Sequence, residues 1–164
     1  EGTYPLPEAQ QDRFLMKVKV GYPRPESERE VLRRHSAGFR PKSLDEAGTR
    51  PVIDGDGLRR LQAEVAATTV EDKVFDYIVS IVAATRASEE LSVGASPRAS
   101  IALLDCAKAV ARLRGREFVT PDDVKEMAVP VLRHRIIVRP ESEIEGFDAE
   151  QALDAILARV PVPR

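Results

Sequence analysis

At 164 residues, with 43% hydrophobic and 32% charged side chains, the chain has the make-up of one globular domain, or of a small domain with part of another, and not of a disordered segment. A formal net charge of −2 without any basic block argues against a dedicated nucleic-acid binder, whose phosphate contacts show as a lysine and arginine excess. The longest apolar stretch, "IVSIVAA" at 78–84, is far too short to cross a bilayer; with no secretory segment at the start, the expected location is cytoplasmic, without membrane insertion.

The opening "EGTYPLPEAQ" lacks an initiator methionine and points to a piece of something longer. Pro5 and Pro7 restrict this segment, and "EAQQDRF" then predicts about two helical turns, with Pro7 suited to the first helical position. In "FLMKVKVGYP", Met16, Val18 and Val20 alternate with Lys17 and Lys19 before Gly21 and Pro23, as in a strand. "PESEREVLRRH" predicts a charged helix over 25–35 that ends by Gly38. "FRPKSLDEAGTRPVI" has little periodicity and reads as a linker, with a domain boundary between Gly38 and Arg50.

Helical spacing strengthens downstream. Leu58, Leu61 and Val65 share one face, with Asp54 or Asp56 to cap the start. Val70, Val74, Tyr77, Ile78, Ile81 and Val82 form a wide apolar face ending near Thr85 and Arg86. The helix from Pro97 to Arg114 is apolar almost all round, which places it at the centre of a bundle. "TPDDV" opens another, with Thr120 as cap, Pro121 at the first position and Asp122 and Asp123 suiting the dipole; Pro130 should kink or end it. "RIIV" at 135–138 is β-like, "PVI" and "EFV" could pair locally, and a last helix spans about 148–159.

Arg98 raises a question of charge. It follows Ser96 and Pro97 in the first turn of its helix, where the N-terminal partial positive charge favours an anion. Asp105 and Arg112 lie within about 40° of it around the helix, so Arg98 is on the polar stripe, away from the core. A guanidinium beside a helix N-terminus suits a phosphate. The alternatives are a pair with Glu89 or Glu90, or a solvated side chain. Arg13, near the end of a short helix, is favoured by the dipole and requires no function on that ground.

Other chemistry is sparse. One cysteine, Cys106, in an alanine-rich pattern reads as a small buried thiol, and with His35 and His134 it supplies too few ligands for zinc. Both histidines fall on charged, exposed helix ends, with no nucleophile triad. No phosphate loop is present; "DGDG" at 54–57 lacks the length and the lysine, and Asp122 with Asp123 is helix capping.

Five blocks, "EGTYPLPEAQQDRFLMKVKVGYP", "ATR" at 84–86, "GASPRA" at 94–99, "GREFVTPDDV" at 115–124 and "VLRHR" at 131–135, resemble the MoxR family of AAA+ ATPases in order and spacing over nearly the whole chain. The resemblance implies a mainly α fold: a helical bundle of the AAA+ lid type, preceded by a short helix-strand-helix remnant of an α/β core. Residues 1–40 would be the C-terminal edge of that core and 41–164 the lid. The family's phosphate loop, magnesium-binding acidic motif and polar sensor would lie before Glu1.

By that likeness Arg13 corresponds to the arginine finger, which reaches the γ-phosphate held by a neighbouring subunit. Arg98, next to Pro97 in the nucleotide-binding block, corresponds to the second sensor. Either guanidinium could stabilise charge on phosphoryl oxygens. Whether Arg98 serves its own subunit's nucleotide or a neighbour's stays open, and Gln11 departs from the leucine usual in this block. The likeness further implies ATP with magnesium, a ring that is commonly hexameric, von Willebrand factor A domain partners and a chaperone-like remodelling role. Two other readings compete: a free-standing helical adaptor that binds a protein partner, and a helical DNA binder suggested by "VLRHR" with Arg112, Arg114 and Arg116.

Overall fold

Pro7 sits at the cap of a single helical turn, α1 (Glu8–Gln11), half the length that the spacing predicts. The chain then turns through residues 12–15 and runs extended. No strand forms at 16–20: one edge cannot make a ladder, and the Lys17 N–H instead donates to the Pro130 carbonyl at 2.9 Å. α2 (Pro25–Ser36) starts at a proline, carries Glu26 and Glu28 in its first turn and Arg33, Arg34 and His35 in its last, and so suits its dipole at both ends. α3 (Gly55–Ala66) begins where Asp54 accepts the Gly57 N–H at 2.7 Å.

The computed structural model describes residues 4, 6–40 and 48–163. The linker expected through 41–47, with the start of the second domain at 41, and the restriction at Pro5 lie outside the described residues. The described residues divide into two compact units: one joins the chain up to Val18 with everything from Gln62 onward, and the other is Lys19–Leu61. In the second unit no described residue is buried, and Val31, Leu32, Leu58 and Leu61 are exposed. "PVI" at 51–53 forms no strand there.

The first unit contains the hydrophobic core. α4 (Asp72–Arg86) buries Val74, Tyr77, Ile78, Ile81 and Val82 along one face, as its spacing predicts. β1 (Leu91–Val93) leads into α5 (Pro97–Leu113), whose buried face consists of Ala99, Ala102, Leu103, Cys106, Ala107 and Ala111. α5 is not buried all round, because Ile101 and Leu113 are exposed. Small side chains let it pack closely on α6 (Pro121–Leu132), which buries Val124, Ala128, Val131 and Leu132. Pro130 does not stop α6: the helix forgoes the one bond that an N–H at this position would donate to the Glu126 carbonyl and runs on to Leu132.

β2 (Ile137–Val138) pairs with β1 antiparallel, with Leu91 opposite Val138 and Val93 opposite Ile137. "EFV" also pairs, but with Thr69: the Thr69 N–H donates to the Glu117 carbonyl at 2.9 Å and the Val119 N–H to the Thr69 carbonyl at 3.0 Å. A short α7 (Pro140–Ile144), absent from the expected elements, precedes α8 (Ala149–Arg159). Asp148 caps α8 by accepting from the N–H groups of Glu150 and Gln151, while Ala152, Leu153, Ile156 and Leu157 close the bundle on α4 and α6. Among the described residues no helix is long and apolar enough to cross a membrane.

Candidate functional site

The start of α5 is held in place by the end of α4. Gly94 has to be a glycine: a Cβ there would lie 2.6 Å from the Arg86 Cα. That approach lets Thr85 Oγ1 accept the Ala95 N–H at 2.9 Å while it donates to the Val82 carbonyl at 2.7 Å. The Arg86 Nε–H donates to the Ala95 carbonyl at 2.7 Å. The "ATR" and "GASPRA" blocks are thus one physical unit, with both backbone polar groups of buried Ala95 satisfied by the last turn of α4.

Ser96 is the N-cap of α5 and Pro97 its first helical residue, but the Ser96 hydroxyl does not cap its own helix. It donates to the Asp12 carboxylate, 3.0 Å from each oxygen. The Arg98 Nη1 lies 3.6 Å from Asp12 Oδ2, and the Arg135 Nε lies 3.3 Å from Oδ1. α5 has no acidic residue in its own first turn, so its anion comes from a residue 84 positions earlier. Neither Glu89 nor Glu90 pairs with Arg98: Glu90 accepts from the Ser88 hydroxyl and faces Arg159.

Arg98 keeps 53% of its side-chain surface exposed and has this single long ion pair. Arg13 is exposed and makes no side-chain hydrogen bond or ion pair among the described residues. The two arginines are thus brought into one neighbourhood indirectly, through Asp12, which adjoins Arg13 in the chain and meets Arg98 in space.

Three consecutive side chains at the end of α6 hold the turn that follows α1. The Arg135 guanidinium, 1% exposed, donates to the carbonyls of Asp12, Phe14 and Leu15, and to that of Val131 at 2.6 Å. His134 Nε2 lies 3.0 Å from the Phe14 carbonyl, which makes Nε2 the protonated nitrogen, and Nδ1 is buried without a partner among the described residues. Burial lowers the pKa of His134 below its ordinary value, so the exposed position expected for this residue is corrected to a part-buried one. The Arg133 Nε–H donates to the Lys17 carbonyl at 2.9 Å, and its Nη1 pairs with Glu150 at 2.8 Å. Burial also lowers the Arg135 pKa, with the Asp12 carboxylate acting against it.

A cavity of about 300 Å³ lies beside this cluster, bordered by Gln11, Lys17, Gly94, Ser96 and the 133–135 side chains. The other basic residues singled out are engaged elsewhere: Arg112 with Glu64 at 3.0 Å, and Arg114 and Arg116 with Asp123. Asp123 is fully buried; burial pushes its pKa up, but hydrogen bonds from Arg116 and Thr120 outweigh this and hold it down at about 2. Cys106 is buried, as its alanine-rich setting predicts, and burial raises its thiol pKa. No group of three or more histidine, cysteine or acidic residues that could hold a metal ion occurs among the described residues.

Asp12, Ser96, Arg133 and Arg135 are the functional candidates missing from the sequence reading. A carboxylate that serves a helix 84 residues away leaves no local pattern, and "VLRHR" reads as a basic surface until its carbonyl partners are seen.

Residues 83–156 match the AAA lid domain family. The chain is 42% identical to the uncharacterized protein YeaC of Bacillus subtilis, over 99% of this chain and 49% of that protein. It is 39% identical to the chaperone MoxR1 of Mycobacterium tuberculosis, over 100% of this chain and 44% of that protein. The crystal structure of an inferred ATPase from Cytophaga hutchinsonii superposes with a TM-score of 0.88 at 37% identity, covering all of this chain and 51% of that one. The chain thus spans about half the length of the curated relatives it matches. With the five sequence blocks converging on the α4, α5 and α6 ends of a lid-type bundle, the chain carries an AAA lid domain and is similar over nearly its whole length to part of proteins named MoxR.

Proposed function

We propose that this chain supplies two guanidinium groups to an ATP-hydrolysing ring: Arg98 as the lid's sensor of bound nucleotide and Arg13 as the arginine finger for a neighbouring subunit. Residues 1–40 act as the edge of the nucleotide-binding core and 41–164 as the lid. Arg98 carries this reading. It stands at a helix start with no acid of its own, more than half exposed, with one ion pair at 3.6 Å that an incoming phosphate can replace.

The residues present fit a triphosphate. The start of α5 offers backbone N–H groups, Pro97 fixes the first helical φ, and the Ser96 hydroxyl and Arg98 guanidinium lie beside them. ATP supplies the γ-phosphoryl group that is transferred to water. Arg98 orients and neutralises phosphate oxygens, and Arg13, exposed and without a side-chain partner among the described residues, is available to a site outside its own subunit. Magnesium ligands come from polypeptide other than the described residues. The ring is hexameric, its partners are von Willebrand factor A domain proteins, its work is chaperone-like remodelling, and its place is the cytoplasm.

The test is steady-state ATP hydrolysis by the intact ATPase. Arg13→Ala should lower kcat by about 10³ or more, as loss of an arginine finger does, and Arg98→Ala by about 10² to 10³. Wild-type turnover in either variant removes that residue from the mechanism.

A further inference from the structure

We propose that Arg135 is a positioning residue for Arg13: its buried guanidinium grips the backbone on both sides of that residue and fixes the turn to the end of α6. The inference rests on the reading of Arg13 as the finger. The donors of Arg135 go to the carbonyls of Asp12, Phe14 and Leu15, and its Nε also faces the Asp12 carboxylate. Arg13 sits within that set with its own side chain exposed and without a partner among the described residues. His134 and Arg133 extend the grip to the carbonyls of Phe14 and Lys17, and the Pro130 carbonyl takes the Lys17 N–H.

A packing role alone does not call for this residue. An apolar side chain of similar volume would fill the position without the cost of burying a charge. Nor does the turn hold itself. Its backbone bonds to α1 are three, from the Asp12, Arg13 and Phe14 N–H groups to the Glu8, Gln10 and Gln11 carbonyls, and no strand follows. The planar fork of an arginine spreads five donors over three nitrogens and so reaches carbonyls that the single nitrogen of a lysine cannot span. A long cationic side chain acts on a reacting phosphoryl group only if its base is fixed, because displacement by about 1 Å costs on the order of 10²-fold in rate.

The experiment compares Arg135→Lys, Arg13→Ala and the double variant in the intact ATPase, by turnover and by hydrogen exchange of the 13–17 amides. Arg135→Lys should lower kcat by about 10² with the KM for ATP kept within about twofold. It should cause no further loss when Arg13 is already alanine, and the 13–17 amides should exchange faster while those of α4 and α8 do not. An equal loss in both backgrounds, a changed KM with kcat intact, or unchanged exchange at 13–17 overturns the proposal. If Arg13→Ala turns over like wild type, the finger reading falls, and exchange alone decides whether Arg135 holds the turn. Should Arg135→Lys fail to fold, Arg133→Gln loosens the Lys17 end of the same grip and should give a smaller loss of the same kind; an effect that persists without Arg13 counts against it.

Discussion

α5 and α6 begin with the same two kinds of residue, a hydroxyl followed by proline, yet they meet their positive ends in opposite ways. α6 is closed by its own first turn: Asp123 takes the Thr120 N–H at 2.9 Å and the Thr120 hydroxyl at 2.8 Å, and two arginines lock its other lone pairs. That carboxylate is fully buried. α5 takes its carboxylate from Asp12, which stays 22% exposed and reaches Arg98 at 3.6 Å. A helix start closed from within is scaffold, whereas one completed by a remote, part-exposed carboxylate can exchange that anion for another.

The largest effect expected from breaking this contrast is at α6. Asp123→Ala leaves Arg114, Arg116 and the Thr120 N–H without their shared acceptor and should cost about 3 to 5 kcal/mol in urea unfolding. Acid should sharpen the same point. Asp123 is held at about 2 in the folded chain against an ordinary 3.8. Its contribution of about 2 kcal/mol is therefore full above pH 4 and is lost as the pH falls through 2, which acid titration of the unfolding midpoint would show.

At α5, Gly94→Ala drives a Cβ into the Arg86 backbone and should cost about 1 to 3 kcal/mol while displacing the Ser96 to Arg98 segment; a midpoint like that of wild type would mean that the two elements part freely. Asp12→Asn keeps the size of the side chain but removes its charge, and should cost about 1 kcal/mol. Smallest of all, Arg98→Ala should change stability by under about 0.5 kcal/mol. A larger loss of stability there would mean that Arg98 is scaffold after all.

How much of this can be read from the sequence follows the same division. The start of α6 is legible because Thr120, Pro121 and Asp123 lie within four residues, and the same holds for Asp148 with Gln151 at α8. The apolar face of α4 emerges from its spacing, and so does the order of the helices. The alternation at Met16 to Val20 misleads, since a period of two describes a side-chain pattern and not the presence of a pairing edge. α5 is apolar by composition, yet the geometry turns Ile101 and Leu113 outward.

At the candidate site, Arg98 is legible as an oddity, a cation where an anion belongs, but its counter-charge is not. Asp12, Arg135 and Ser96 meet only once the chain has folded, over separations of 84 and 123 residues.

The alanine-lined packing of α5 on α6 has a mechanical consequence. Short, interlocked side chains leave no soft layer that could absorb a tilt, so a push on the first turn of α5 travels into α6 as rigid displacement. The C-terminal end of α6, which runs into Arg133, His134 and Arg135, meets that first turn at Asp12. Close packing of this kind keeps the start of α5 and the turn around Arg13 in one fixed relation.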